Sequence, residues 1–266
     1  MQFYDTVDDL IKVVPHKAFL AVPPDYSYVP MQMIRALISR QIRQLHVLCV
    51  PIGGLAVDML IGAGCVEVIE TAAVSLGEAG AAPRFVDAIQ SGKLKIIEAT
   101  CPAIHTALQA TEKGVAFMPL GGIIGSDILV HRKDWRVVDD PLGKGQGPIV
   151  LIPAIKPDIA VLHSPLADRQ GNVWIGRRRE LMTLAHASSQ TLVSVERITE
   201  QCLLDDETMA AGTLPSLYVS GIAVAEYGAK PLKLTGHYPA DMTEITEYAR
   251  QAKTDEGFQS WLEQAL

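Results

Sequence analysis

Residues 46–70, HVLCVPIGGLAVDMLIGAGCVEVIE, contain a complete strand–turn–helix–strand unit. The apolar run at 46–50 predicts a short buried strand, and the small residues at 51–54 predict a turn. A helical pattern at 56–63 ends at a glycine, and residues 66–70 are again rich in β-formers. Two strands separated by a single helix are typically parallel neighbours joined by a right-handed crossover.

The same alternation continues on both sides of this unit. Helices are predicted after Pro30, at 83–90 and at 102–113, and β-rich strands at 93–98 and 115–120. A proline stands at or just before the start of each of these helices, where its missing N–H costs nothing. We therefore predict an α/β protein with a mainly parallel open sheet flanked by helices, in which 115–120 is one of the parallel strands.

The sequence pattern changes in the second half of the chain. PLGKGQGP at 141–148 predicts a loop, and the apolar runs at 148–154 and 158–164 predict strands. A short polar turn at 168–172 precedes the apolar run VWIG. Strands joined by so short a turn are antiparallel neighbours, so we predict a hairpin portion on one side of the sheet.

The rest of the chain adds one strand and a helical tail. Residues 191–196 predict a further strand, and the segment from Asp241 onward is helical with mixed charges, which suggests that it packs on the surface. The sequence shows no internal repeat, no low-complexity segment and no linker. We therefore expect a single domain over residues 1–266.

Composition limits the classes of function. The formal net charge of −7 argues against sequence-independent binding of nucleic acid, although backbone N–H groups could still hold an anionic ligand. Four scattered cysteines without a CxxC pair favour a reducing compartment, and the acidic start of the chain does not resemble an export signal. No apolar run approaches the roughly 18 residues of a membrane helix. We expect a cytoplasmic protein that does not bind membranes.

Several motifs of common enzyme classes are missing from the sequence. A GxGxxG motif does not follow the first strand, the seven histidines form neither HxxxH nor HExxH, and GxSxG does not occur. These absences argue against a dinucleotide site, a zinc site and the usual serine hydrolase. We therefore predict no bound metal.

Small residues lie in four loops at the carboxyl ends of predicted strands, which is the edge where open α/β sheets bind ligands. These loops cover residues 51–54, 75–80, 98–102 and 121–127. Glycine allows close backbone approach to a ligand and leaves N–H donors exposed, although it also serves simply to make turns. The candidate binding residues are Gly53, Gly54, Ser75, Gly121, Gly122 and Ser126.

Glu98 is the candidate for chemistry. It ends a predicted strand, where a carboxylate could polarise water, accept a proton or bind a substrate hydroxyl. The alternative is a structural carboxylate that caps the following helix. The basic clusters at 131–136 and 177–179 could hold phosphates, or they could form a solvated face or a subunit contact.

Five segments of the chain resemble A subunits of family I coenzyme A transferases, such as glutaconate and 3-oxoadipate coenzyme A transferase. They also resemble the A subunit of a related hydrolase that opens steroid-derived rings as coenzyme A esters. The segments are GGLAVDMLIGAGCVEVIE, SGKLKIIEAT with Glu98, FMPLGGIIGSDIL with Ser126, LHSPLADRQGNVWIG with His163, Asp168 and Asn172, and TLVSVERI. The resemblance extends over nearly the whole chain.

The resemblance implies a NagB/RpiA-like fold and an active site shared with a B subunit, in a heterodimer or an α2β2 heterotetramer. The nucleophilic glutamate is expected in the B subunit, so this chain alone is expected to be inactive and Glu98 to be auxiliary. The substrates would be an acyl-coenzyme A thioester and a small carboxylic acid, and the candidate glycines and serines would bind substrate or coenzyme A. Coenzyme A itself would act as a thioester substrate.

One loop departs from the family pattern. Many A subunits carry a glycine-rich loop after the first strand, whereas this chain has AVPPDYSY at 21–28, which is stiffer and bulkier. The difference leaves the substrate and the transferase activity open. One alternative is a hydrolase or ring-cleaving lyase of coenzyme A thioesters, with Glu98 acting on water or on a substrate carbonyl. Another is a ligand-sensing or scaffolding subunit without chemistry of its own.

Overall fold

The computed structural model describes residues 1–143 and 147–266, so part of the predicted 141–148 loop lies outside the described residues. The strands are β1 (Gln2–Tyr4), β2 (Phe19–Val22), β3 (Leu45–Cys49), β4 (Val66–Thr71), β5 (Lys95–Glu98), β6 (Phe117–Leu120), β7 (Arg136–Val138), β8 (Ile149–Pro153), β9 (Ile159–Asp168), β10 (Val173–Trp174), β11 (Gln190–Thr199), β12 (Thr213–Leu214) and β13 (Gly221–Val224). The helices are α1 (Val7–Ile11), α2 (Met31–Ser39), α3 (Leu55–Gly62), α4 (Pro83–Gln90), α5 (Cys101–Glu112), α6 (Ile128–His131), α7 (Arg179–Ala187), α8 (Glu207–Ala210), α9 (Met242–Gln251) and α10 (Asp255–Ala265).

The main sheet has the strand order β1-β13-β11-β9-β2-β3-β4-β5, and each pair of neighbours in that order is parallel. The chain builds the sheet outward in one direction from β2 to β5. It then returns to the centre at β9 and continues in the other direction through β11 and β13. The boundary between β2 and β9 is therefore the topological switch point, where loops leave neighbouring strands in opposite directions.

Both faces of this sheet are covered by apolar side chains. In β2, Leu20 and Val22 join a core formed with α1 to α4, α9 and α10, whereas Ala21 joins a second core with α5 and α7. Alternate residues of one strand thus enter opposite cores, as expected for a parallel sheet between two helix layers. The predicted α/β fold with a mainly parallel sheet is confirmed.

The predicted hairpin is also confirmed. Strand β10 pairs antiparallel with β9, with Val173 opposite Ala167, and β12 extends the pairing on the other side of β10. The turn is held by Asp168, whose carboxylate accepts hydrogen bonds from the backbone N–H and the side-chain amide of Asn172 at 2.9 and 2.8 Å. These contacts give both polar residues a structural role in the turn.

The prediction that residues 115–120 form a parallel strand of the main sheet is wrong. Strand β6 belongs instead to a small antiparallel sheet with the order β6-β8-β7. Pro119 has no N–H to donate to a ladder, and β6 accordingly lies at the edge of the small sheet. Side chains of β6 are alternately exposed and half-buried, which suits a sheet that faces solvent on one side.

Arg132 joins the small sheet to the edge of the main sheet. The Arg132 side chain is buried and donates from Nη1 to Glu70 Oε1 on β4 at 2.8 Å and to the carbonyl oxygen of Glu98 on β5 at 3.1 Å. Its guanidinium also pairs with Asp134 and lies over the ring of Trp135. A buried charge needs such partners, because it has lost its hydration.

The C-terminal tail contributes to the core rather than only to the surface. Tyr248, Phe258 and Trp261 on α9 and α10 are buried in the first core. The Tyr248 hydroxyl donates to Asp58 Oδ2 on α3 at 2.7 Å, and Asp58 Oδ1 accepts from the backbone N–H of Phe85 at the start of α4. One buried carboxylate therefore fixes three helices relative to one another.

We expect Arg132→Met to lower the free energy of unfolding by about 3–5 kcal/mol, because it leaves Glu70 as an unpaired buried carboxylate. Urea denaturation followed by circular dichroism measures the change. Arg169→Met is the control, since Arg169 pairs with Glu200 on the exposed surface and its loss should change the free energy of unfolding far less. Equal losses in the two variants would contradict a stabilising role for the buried pair.

Candidate functional site

The loop that follows β2 lies at the switch point of the sheet. Residues 23–30 begin with two prolines, and most of the loop is buried. The carbonyl oxygen of Tyr28 accepts a hydrogen bond from the backbone N–H of His163 on β9, and the Ser27 hydroxyl donates to Glu180 on α7. The loop is therefore fixed at the position where open α/β sheets bind their ligands.

Asp25 in this loop contacts the start of α3. Its Oδ2 accepts a hydrogen bond from the backbone N–H of Leu55, the first residue of that helix, at 2.7 Å. A Cβ at position 54 would overlap the Asp25 carboxylate, so only glycine leaves room for it there. The carboxylate thus satisfies one of the unpaired N–H groups of the helix and takes the place that favours an anion.

The surroundings of Asp25 disfavour its charged form. Burial raises the pKa of its carboxyl from 3.8 to about 7; the Leu55 N–H opposes this change, and the negative charge of Asp58 adds to it. Its second oxygen, Oδ1, is buried without a hydrogen-bond partner among the described residues. The Asp25 carboxyl therefore keeps its proton to a higher pH than an ordinary aspartate does.

A cavity of about 430 Å³ opens beside Asp25. This volume falls within the range of small-molecule sites. Its polar lining residues are Asp25, Tyr26, Ser75, Glu78 and Lys233, and much of the remaining wall consists of apolar side chains from the 232–245 segment and from the 52–76 region. The cavity combines a mainly apolar interior with a few charged groups, which is typical of a ligand site.

Three of the candidate binding residues lie together at this cavity. Gly53, Gly54 and Ser75 all line it. The backbone N–H of Ser75 donates to the carbonyl oxygen of Gly53 at 3.0 Å, so the loops after β3 and β4 are joined. The loops predicted from small residues at these two strand ends therefore meet, and the binding role of the three residues stays a prediction.

The other candidates lie elsewhere. Gly121 and Gly122 are exposed after β6 in the small sheet, and the Ser126 hydroxyl accepts from the backbone N–H of Ile128 at the start of α6. Glu98 is exposed at the end of the edge strand β5, and it is not among the residues that line the cavity. Helix α5 is capped by Thr100, which argues against the alternative that Glu98 caps it.

A second group of polar side chains connects β9 and β11. His163 Nε2 lies 2.9 Å from Glu196 Oε1, and His163 Nδ1 lies 2.8 Å from the hydroxyl of Ser194. Because an ionised carboxylate only accepts, His163 donates from Nε2 and accepts from Ser194. Burial lowers the pKa of His163 despite the neighbouring carboxylate, in agreement with a neutral ring.

Glu196 is held in its charged form by three donors. Burial raises the pKa of its carboxyl, but hydrogen bonds from His163, Tyr238 and the backbone N–H of Tyr227 outweigh burial and bring it to about 2. Tyr227 has a φ of 55°, a left-handed conformation that costs a bulky residue about 1–2 kcal/mol. The bond from its N–H to Glu196 therefore stabilises a strained loop after β13.

Sequence reasoning did not identify Asp25 or Glu196 as site residues. The only available signal for Asp25 was its position in the loop that departs from the glycine-rich family pattern. One arginine of each predicted basic cluster has a structural partner: Arg132 pairs with Glu70, and the Arg178 guanidinium lies 3.6 Å from the centre of the Tyr28 ring. Neither arginine is available for a phosphate without breaking these contacts.

Within residues 1–143 and 147–266, no group of three or more histidine, cysteine, aspartate or glutamate side chains is arranged to hold a metal ion. Over the same residues, none of the helices has both the length and the apolar character needed to span a bilayer. A mainly parallel open sheet with a ligand-sized cavity beside the loop at its switch point is typical of α/β proteins that bind small molecules.

Comparison with known proteins gives the family. The model of the coenzyme A transferase family matches residues 26–225. The chain therefore belongs to the coenzyme A transferase family, and the resemblance found in the sequence is confirmed.

The chain covers different shares of the length of three relatives. A protein of Archaeoglobus fulgidus is 30% identical over 211 residues, which are 77% of this chain but only 46% of that protein, so the chain spans about half of its length. The A subunit of the 3-oxoadipate CoA-transferase of Pseudomonas knackmussii is 26% identical over 80% of this chain and 75% of its own. The cholesterol ring-cleaving hydrolase IpdA subunit of Rhodococcus jostii is 28% identical over 88% of this chain and 81% of its own.

The fold also agrees with a solved structure. Glutaconate coenzyme A-transferase of Acidaminococcus fermentans superposes with a TM-score of 0.88 over 99% of this chain and 88% of that chain, at 23% sequence identity. At this identity the comparison establishes the fold alone.

We expect Asp25→Asn to stabilise the protein increasingly as the pH rises from about 4 to about 7. The raised pKa means that the folded state binds a proton more tightly than the unfolded chain, so Asp25 lowers stability once the pH exceeds the unfolded value. The asparagine carries no charge and can still accept the Leu55 N–H.

Thermal unfolding between pH 4 and 8 measures this effect. The Tm difference between variant and wild type should be near zero at pH 4 and reach at least about 3 °C at pH 8. Asp205→Asn, at an exposed aspartate outside the cavity, should give no such pH-dependent difference. A constant difference at all pH values would show that the pKa of Asp25 is not raised.

Proposed function

We propose that this chain is the A subunit of a coenzyme A transferase that acts with a B subunit in a heterodimer or an α2β2 heterotetramer. The pair moves coenzyme A between an acyl thioester and a small carboxylic acid, and the B subunit provides the nucleophilic glutamate. The chain acts as one coenzyme A transferase domain over residues 1–266, in the cytoplasm. The observation that carries the proposal is the family match over residues 26–225, supported by a relative named as the A subunit of a transferase.

A carboxylate nucleophile explains how the reaction proceeds without water. The glutamate oxygen attacks the thioester carbon and the C–S bond breaks. Coenzyme A leaves as a thiolate, and the acyl group stays on the glutamate as a mixed anhydride. The thiolate then attacks the glutamyl carbonyl, which releases the first acid and leaves a glutamyl thioester. The acceptor acid repeats the same two steps in reverse, so no proton or water molecule is consumed overall.

The acids of this chain support the assignment of the nucleophile to a partner. A nucleophilic carboxylate needs a free oxygen in a site that excludes water, because water hydrolyses an anhydride. Both oxygens of Glu196 accept hydrogen bonds, and Asp25 Oδ2 accepts one from Leu55. Asp25 Oδ1 is buried and has no exposed surface from which to attack a substrate. Glu78 and Glu98 are exposed to solvent. A second protein surface over this edge would supply both the free carboxylate and the exclusion of water.

We assign the acid and coenzyme A to two different loop regions of the chain. We propose that Gly53, Gly54 and Ser75 bind the acyl substrate in the cavity, since their loops line it together. Gly121, Gly122 and Ser126 lie in the exposed loop between β6 and α6, and we propose that they contact coenzyme A when the pair is assembled. No metal is needed for either step.

We expect the purified chain to show no coenzyme A transfer by itself and the pair with its B subunit to be active. The test is co-expression with candidate B subunits, beginning with reading frames next to the gene, and assay with acyl thioesters and carboxylic acids. Mass spectrometry of the active pair should detect a glutamyl–coenzyme A adduct on the B subunit, with none on this chain.

Three results would change the proposal. Robust transfer by the single chain, or an adduct on it, would place the nucleophile in this chain. Release of free coenzyme A with uptake of water, without an acceptor acid, would favour the hydrolase alternative. Binding of a ligand without turnover in any pair would favour a sensing or scaffolding subunit.

We propose that Glu98 is an auxiliary residue and expect Glu98→Gln to lower kcat/KM of the assembled pair at least tenfold while leaving its stability unchanged. The reason is its place at the carboxyl end of β5, where its exposed side chain can reach a bound partner or substrate. Steady-state kinetics and thermal unfolding provide the two readouts. Glu67→Gln, at an exposed position earlier in β4, is the control. Unchanged kinetics would leave Glu98 without a part in the reaction.

A further inference from the structure

The cavity beside Asp25 has an unusual distribution of charge. Leu76, Leu232, Ala240, Met242 and Ile245 give it apolar walls. Lys233 and Glu78 also line it and are exposed to solvent, which places both residues at the rim. A chain of methylene groups fits the walls, and a single carboxylate fits the lysine at the rim.

The start of α3 would ordinarily attract a second anion. The first N–H groups of a helix have no partners within it, and its positive end favours negative charge. In this protein Asp25 already occupies that place, because its Oδ2 accepts the N–H of Leu55. Gly54 keeps the space that the carboxylate fills.

A second carboxylate near the start of α3 would therefore meet a like charge in a poorly hydrated place. Neither group could ionise fully without repelling the other, and the burial that weakens solvation of Asp25 would weaken that of the ligand too. An uncharged methyl or methylene end meets no such penalty and gains from the apolar walls.

We infer that the cavity selects the apolar acyl portion of a monocarboxylic acid and that Asp25 is the specificity-determining residue, because its carboxylate excludes a second carboxylate from the start of α3. The inference names the class of acid for the proposed function. Only its consequence for catalysis rests on that function. The selection itself is a binding property of this chain and can be measured without turnover.

Hexanoate and adipate test the inference because they have the same number of carbon atoms and differ in one terminal carboxylate. Ligand-observed NMR titration of the purified chain at pH 8.5, where Asp25 is ionised despite its raised pKa, should give a dissociation constant at least tenfold lower for hexanoate. In Asp25→Asn the adipate constant should fall at least fivefold, while that of hexanoate changes less than twofold. The loss of discrimination is a result that a purely structural role of Asp25 would not produce.

Asp205→Asn controls for the change in net charge, since Asp205 is exposed and outside the cavity lining, and its hexanoate-to-adipate ratio should equal that of the wild type. Circular dichroism verifies folding, and Asp25→Ser replaces the asparagine variant if that variant is unfolded. Equal binding of the two acids to the wild type, tighter binding of adipate, or no binding of hexanoate would each overturn the inference. None of these outcomes bears on whether an assembled pair transfers coenzyme A, so the two proposals fail separately.

Discussion

A parallel sheet has to be buried on both faces, and most of this structure follows from that requirement. Alternate residues of the central strands enter two different apolar cores, which forces helices onto both sides. The loops that remain free are those at the carboxyl ends of the strands. Where the strand order reverses between β2 and β9, these loops separate and leave space for a ligand. The cavity lies to one side of this point, among the loops after β2, β3 and β4 and the segment 232–245.

Two carboxylates near this edge show how the environment decides what the same group does. Asp25 receives one backbone N–H, and burial dominates, so the pKa of its carboxyl rises to about 7. Glu196 is also partly buried, but three donors outweigh burial and bring the pKa of its carboxyl to about 2. The protonation of Asp25 therefore depends on what binds beside it. The Glu196 carboxylate is a fixed charge that holds His163 and the backbone of Tyr227 in place.

Much of the fold could be predicted from local sequence patterns. Prolines at helix starts, glycines after helix ends and apolar runs between them located α2, α4 and α5 and the strands beside them. Residues 115–120 carry the same strand signal as their neighbours, and the pattern does not reveal which sheet a strand joins. Strand β6 pairs with β8, which comes later in the chain, and Arg132 then ties the small sheet to Glu70 on β4. No local pattern reports either contact.

The candidate site was only partly accessible to sequence reasoning, for a related reason. Glycines 53 and 54 are recognisable because they mark a turn, and the structure explains the second of them by a contact across about thirty residues of chain to Asp25. The sequence presented that aspartate only as part of a stiff loop in place of a glycine-rich one. A flexible glycine loop would leave the start of α3 open to a ligand anion, whereas a rigid loop with its own carboxylate occupies it. On our proposal, the departure from the family pattern changes which charges the site accepts, and this change acts on binding and not on the chemical steps.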